Sequence, residues 1–214
     1  MNTSPDTDTI RILVVEDHGI VRQGIVAILQ LQSNFHIVAE AKDGVEAIAL
    51  YKQHQPDITL MDLRMPNLEG VEAITQIRAH HPEAQIIILT TYDTDEDIYR
   101  GLQAGARGYI LKDADFEELL DAVHTVYSGK RYLPSNVALK LLERMDREEL
   151  TEREQDVLNL MVLGTSTAAL AEALQISEGT VKFHMNHIFQ KLGVNDRTQA
   201  IITALRRGLV RLNE

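Results

Sequence analysis

Ile10-Arg11-Ile12-Leu13-Val14-Val15, followed at once by Glu16-Asp17, sets the pattern from which the fold is read. A short run rich in β-branched residues and nearly free of polar groups suits a strand covered on both faces, as in a parallel sheet. Four more such runs follow: His36-Ile37-Val38-Ala39-Glu40, Asp57-Ile58-Thr59-Leu60-Met61, Gln85-Ile86-Ile87-Ile88-Leu89 and Gly108-Tyr109-Ile110-Leu111. Between them, Val45, Ile48, Ala49 and Ala73, Ile74, Ile77 recur at helical spacing and predict amphipathic helices. Five β-α repeats imply an α/β fold, a doubly wound five-stranded parallel sheet whose site lies outside the carboxyl ends of the strands.

The residues at those ends carry the chemistry. The first strand ends in Glu16-Asp17, the third in Asp62, the fourth in Thr90-Thr91 and the fifth in Lys112. Three carboxylates on one rim repel one another unless a cation sits among them. Oxygen donors without a thiolate favour a hard ion, Mg²⁺ above all. Single residues nearby read more plainly. His18 is expected as a solvated helix-start residue, and His80-His81-Pro82 as a helix end. Asp93-Thr94-Asp95-Glu96-Asp97 is expected as acids at a helix N-terminus plus solvated surface. Tyr109 alone reads as core filling.

The chain has 214 residues and a formal charge of -11. Residues 1–130 hold 21 Asp and Glu against 10 Lys and Arg, whereas residues 151–214 hold seven of each. The whole excess therefore belongs to the first part, and two domains with different tasks are expected. With no cysteine there is no disulfide framework, thiolate metal site or cysteine nucleophile. Nothing approaches about 18 uninterrupted apolar residues, so no membrane span is expected. Met1 to Thr9 lacks the basic residues of a secretory signal. These features imply a soluble cytoplasmic protein.

Beyond Tyr127-Ser128-Gly129-Lys130 the alternation stops. Pro134-Ser135-Asn136 opens a short helical pattern, and mixed charges from Glu143 to Glu149 mark a linker. Thr151-Glu152-Arg153-Glu154 fits a capping box and predicts a helix ending at Gly164. Further helices are expected over Ser166–Leu174, over Ser177–Leu192, and from Asn195-Asp196 to Gly208, the outline of a helix-turn-helix domain. At 100° per residue, Val181, Met185, Ile188 and Leu192 share one stripe of the third helix. Lys182, Phe183, Asn186 and Gln190 then face away, with His187 at the edge. An apolar ring beside Lys, Asn and Gln suits a helix laid in a DNA groove.

The first part resembles a response-regulator receiver domain over residues 10–125. The resemblance is carried by Val15-Glu16-Asp17-His18, Met61-Asp62-Leu63-Arg64-Met65-Pro66, Leu89-Thr90-Thr91 and Gly105-Ala106-Arg107-Gly108-Tyr109-Ile110-Leu111-Lys112. It implies a flavodoxin-like receiver in which Asp62 is the phosphoacceptor for a histidine kinase. Glu16, Asp17, Asp62 and the main-chain carbonyl of Arg64 would bind Mg²⁺. Thr90 and Lys112 would hold the phosphoryl oxygens, and Tyr109 would be the switch aromatic. The last part resembles a LuxR-type DNA-binding domain through Leu150-Thr151-Glu152-Arg153-Glu154, Thr180-Val181-Lys182-Phe183-His184, Ile188-Phe189-Gln190-Lys191-Leu192-Gly193-Val194 and Arg197. Thr180, Lys182, Phe183, His184, Asn186 and Gln190 would contact double-stranded DNA. Family members often carry a basic residue where this chain has Ser166-Thr167-Ala168-Ala169-Leu170-Ala171.

The whole is similar to NarL/FixJ-family response regulators: receiver 1–129, linker 130–149 with a short helix, and DNA-binding domain 150–214. A transcription regulator that dimerises when phosphorylated is expected, not an enzyme beyond slow self-dephosphorylation. Two rivals stand against it. A phosphohydrolase of the haloacid-dehalogenase kind wants a second Asp two residues after the first, and Arg64 stands there. A protein-binding module would keep the helices without groove contacts; the acid, hydroxyl and Lys set argues against it.

Overall fold

The computed structural model describes residues 9–92 and 94–210. They split into two compact units, one ending at Leu139 and the other beginning at Lys140, with Thr94–Glu96 grouped with the second. The expected reading of Met1 to Thr9 lies almost wholly outside the described residues, as does Asp93 of the acidic run.

The first unit alternates β1 (Ile10–Val15), α1 (Gly19–Leu29), β2 (Phe35–Ala41), α2 (Gly44–His54), β3 (Ile58–Met61), α3 (Gly70–His80), β4 (Ile86–Thr90), α4 (Asp95–Gln103), β5 (Gly108–Leu111) and α5 (Phe116–Tyr127). All pairings are parallel, in the order β2-β1-β3-β4-β5. The order reverses between β1 and β3, where a doubly wound sheet opens its crevice. One sheet face packs Ile12, Val14, Leu60, Leu89 and Ile110 against Leu119, Val123 and Val126 of α5. Register then positions the crevice. Val15 pairs with Met61, and the Asp62 N–H donates to the Val15 carbonyl, so Glu16 and Asp62 emerge side by side. Thr90 pairs with Leu111, and the Lys112 N–H donates to the Thr90 carbonyl.

Helix ends follow local chemistry. Asp43 caps α2 by accepting from the Glu46 N–H, and Asp115 caps α5 through Glu118. Arg78 and His80 occupy the last turn of α3, as its sequence predicts. The inward stripe of α2 departs from expectation: Gly44, Ala47 and Tyr51 are buried, while Val45 and Ala49 face solvent. A Cβ at Gly44 would overlap the carbonyl of Leu68, so this close approach of backbones requires glycine. After α5 the chain returns along the free edge of β5, where the Tyr109 N–H donates to Tyr132 and the Tyr132 N–H to Arg107.

The connecting helix α6 spans Ser135–Met145. The second unit comprises α7 (Glu152–Val162), α8 (Thr167–Leu174), α9 (Glu178–Leu192) and α10 (Arg197–Arg206). Thr151, Ser166, Ser177 and Asp196 cap the four through side-chain oxygens, and Thr151 and Glu154 form the full capping box. Val157, Leu158, Met161, Leu170, Val181, Ile188, Ala200 and Ala204 make the core. Among the described residues, no helix is long and apolar enough to cross a membrane.

Candidate functional site

Glu16, Asp62 and Lys112 meet at the rim. The Glu16 side chain is fully buried and that of Asp62 nearly so. Lys112 Nζ lies 2.5 Å from Glu16 Oε2 and 2.6 Å from Asp62 Oδ2. The Leu63 N–H donates to Asp62 Oδ1 at 2.6 Å. Burial works to lower the pKa of the Lys112 ammonium, but its hydrogen bonds to Asp62 and Glu16 prevail and hold it above an ordinary lysine. The loop stays tight because a Cβ at Gly70 would overlap the carbonyl oxygen of Asp62.

The other expected residues surround this centre. Thr90 is buried at the end of β4, its hydroxyl accepting from the Tyr92 N–H at 3.3 Å. Tyr109 is fully buried and donates a 2.6 Å bond to the Tyr92 carbonyl. Arg64 turns its side chain toward α4: it bonds Asp97 at 2.8 Å, nears Glu69 at 3.5 Å and stacks 4.6 Å over the Tyr92 ring. Asp97 is thereby a buried partner of Arg64, against the expectation of a solvated acid.

On α9, Val181, Ile188 and Leu192 are buried and Met185 is half-buried against the same core. Lys182, Phe183, Asn186 and Gln190 are exposed, as the 100° arithmetic predicts; Thr180 and His184 are half-buried. The turn before α9 uses Gln175 at φ 54°, and Ser177 accepts from the Thr180 N–H. A compact two-helix step thus presents a polar face with one apolar ring.

Residues 12–124 match the response regulator receiver domain family, and residues 148–204 the bacterial regulatory proteins of the LuxR family. The chain belongs to the response regulators. VraR of Staphylococcus aureus strain Mu3, a response regulator protein, is 40% identical over 94% of this chain and 99% of its own. DegU of Brevibacillus brevis, a transcriptional regulatory protein, is 34% identical over 99% and 100%. The solved DNA complex of the two-component response regulator RcsB is similar with a TM-score of 0.71 at 25% identity, covering 92% of this chain and 98% of that one. The regulator thus joins a flavodoxin-like receiver to a LuxR-type DNA-binding domain of the NarL/FixJ kind. Its family is one of transcription regulators, not classical enzymes.

The receiver's acidic rim fits a divalent cation. Asp17 Oδ1 is buried with no hydrogen bond of its own, and Glu16 Oε2 has the Lys112 ammonium as its partner. Their neighbours are charged or ionisable groups, the Lys112 ammonium at 2.5 Å and the His18 Nδ1 at 2.8 Å. Carboxylates in that state suit a hard ion. His18 is exposed at the start of α1, as expected, yet its Nδ1 also lies 3.2 Å from Glu16 Oε1. Glu16, Asp17 and His18 offer three donor atoms within 4.8 Å of one another. His18 is thus a helix-start residue whose Nδ1 also reaches both carboxylates.

In the output domain the regulator commits two of its cations to structure. Lys191 Nζ bonds Glu154 Oε2 and the Glu149 carbonyl, both at 2.8 Å. Arg197 donates to the Met161 and Thr165 carbonyls. Glu154 is the hub of this region: it takes the Thr151 N–H at 2.8 Å and lies 3.6 Å from His187 Nδ1.

Proposed function

We propose that this regulator is switched by phosphorylation of Asp62 and reads DNA with α9. The observation that carries the proposal is the buried Glu16–Lys112–Asp62 cluster. A carboxylate held by a cation at a strand end is placed to attack phosphorus as a nucleophile. In the transfer an oxygen of Asp62 bonds to the phosphorus of a kinase phosphohistidine, and the phosphorus–nitrogen bond breaks with its electron pair on nitrogen. Mg²⁺, when bound, neutralises charge on the phosphoryl oxygens. Glu16, Asp17, Asp62 and the Arg64 carbonyl would hold it. Lys112 and the Thr90 hydroxyl would then receive phosphoryl oxygens. Drawing Thr90 toward the phosphoryl group removes the acceptor of the Tyr92 N–H, and Tyr92 is also where Tyr109 is anchored. Hydrolysis of the acyl phosphate by the chain itself would be slow.

The domain limits we propose are receiver 1–129, linker 130–149 and DNA-binding domain 150–214. The phosphorylated form pairs as a homodimer and acts in the cytoplasm. Support for pairing comes from α1 and the turn after it, which carry three exposed large apolar side chains, Ile20, Ile28 and Leu31. Thr180, Lys182, Phe183, His184, Asn186 and Gln190 form the DNA-facing set. The test is in-vitro selection of duplex DNA by the full chain with and without acetyl phosphate. Enrichment of one two-fold site, stronger with acetyl phosphate, is expected. No enrichment in either arm refutes the DNA reading, and equal enrichment refutes the switch.

A further inference from the structure

The short connection from β2 to α2, Ala41 to Gly44, touches both loops of the acidic rim. On one side the Ala41 carbonyl accepts the Glu16 N–H at 3.0 Å, continuing the pairing of Ala41 with Val15. On the other side Asp43 and Gly44 hold the loop that leaves Asp62. The Asn67 side-chain amide donates to Asp43 Oδ2 at 2.7 Å, and the Gly44 N–H donates to the Leu68 carbonyl at 3.1 Å. Asp43 is buried, and its other oxygen accepts the Glu46 N–H at 2.8 Å, so both carboxylate oxygens are engaged. Asn67 has φ 64°, in the left-handed region that asparagine tolerates better than most residues. Such a conformation persists where the surroundings hold it, and here the hydrogen bond to Asp43 is a hold. Only Leu63 to Pro66 lie between Asp62 and this clasp. Leu63 and Met65 are buried, the Asp62 N–H is tied to Val15, and the Gly70 N–H donates to the Leu63 carbonyl at 2.9 Å. The main chain at Arg64 is thus held from both ends.

Resting on the reading that Glu16, Asp17, Asp62 and the Arg64 carbonyl hold Mg²⁺, we infer that Asp43 and Asn67 are positioning residues for that site. Their hydrogen bond fixes the loop of Arg64 against the same connection that holds the Glu16 main chain. Neither residue is a ligand; both act through the main chain between Asn67 and Asp62. Removing the outer groups that orient metal ligands commonly weakens metal binding about tenfold or more.

The experiment titrates Mg²⁺ into the ¹⁵N-labelled full chain and follows the backbone amide signal of Leu63, whose N–H donates to Asp62. Asp43→Ser keeps a side-chain cap for α2 but is too short to reach Asn67. Asn67→Gly keeps the left-handed backbone and lacks the amide. Each is expected to bind Mg²⁺ about tenfold more weakly than the parent. The double variant should bind no more weakly than either single one, because the two changes remove one contact. Denaturant unfolding of the same proteins separates positioning from a purely structural role. Mg²⁺ affinity equal to the parent's in either single variant, whatever its stability, overturns the inference, as do losses that add in the double variant. Failure of the underlying reading looks different: the parent shows no saturable Mg²⁺ binding, or Asp62→Ala binds it as tightly as the parent.

Discussion

Lys112 and Asp62 lie 50 residues apart in sequence and meet in a 2.6 Å hydrogen bond at the rim of the sheet. The same ammonium contacts Glu16, so one cation compensates two buried carboxylates. Breaking such an arrangement leaves like charges facing each other out of water, which costs far more than the intact pair contributes.

Lys112→Met is expected to destabilise the first unit by about 3 kcal/mol and to make its stability strongly dependent on Mg²⁺, because a bound cation would then be the remaining counter-charge. Denaturant unfolding with and without Mg²⁺ measures this. A variant as stable as the parent in EDTA would contradict the electrostatic account.

Glu154 gives a pH prediction. Burial pushes its carboxyl up, but Lys191 and the Thr151 bonds outweigh burial and hold it below the ordinary glutamate value. A depressed folded pKa contributes stability that is present above the unfolded value, about 4.3, and is lost as pH falls through the folded value. Glu154→Gln should therefore cost about 2 kcal/mol at neutral pH. It should also flatten the acid limb of the stability curve below about pH 4.3. Denaturant titrations from neutral pH downward test both; parallel curves for parent and variant would refute the assignment.

Lys182→Ala should weaken binding to the selected site and lower the salt slope by about one, the contribution of a phosphate contact. Stability should change little, because the residue lies off the core stripe of α9. An unchanged affinity at moderate salt would remove α9 as the reading element.

Phosphorylation should shift self-association. Moving a population from 1:99 to 99:1 takes about 5.5 kcal/mol, more than one new ion pair supplies, so pairing by mass action must contribute. Sedimentation with beryllofluoride as phosphoryl mimic should show more dimer than the free chain. No change in either association or DNA affinity would contradict this.

Much of the fold and site was legible because short-range rules govern them. The five apolar runs predicted every strand to within a residue or so at each end; four are almost wholly buried, whereas the edge strand β2 leaves His36 and Glu40 exposed. Thr151 with Glu154, Ser166, Ser177 and Asp196 marked helix starts because caps act within four residues. What stayed hidden depends on partners distant in sequence. Asp97 looked solvated until Arg64 reached it across 33 residues. The acceptors of Lys191 and Arg197 were equally hidden, because they lie up to 42 residues away in sequence. On α2 the helical spacing of Val45, Ile48 and Ala49 did not mark the buried side, which is formed by Gly44, Ala47 and Tyr51.

The central claim, that Asp62 accepts the phosphoryl group with help from a cation held by Glu16 and Asp17, is tested most directly by intact mass after acetyl phosphate treatment. The parent with Mg²⁺ should gain the mass of one phosphoryl group, while Asp62→Asn, and the parent in EDTA, should gain none. A phosphoryl adduct on Asp62→Asn, or undiminished labelling in EDTA, would contradict the account.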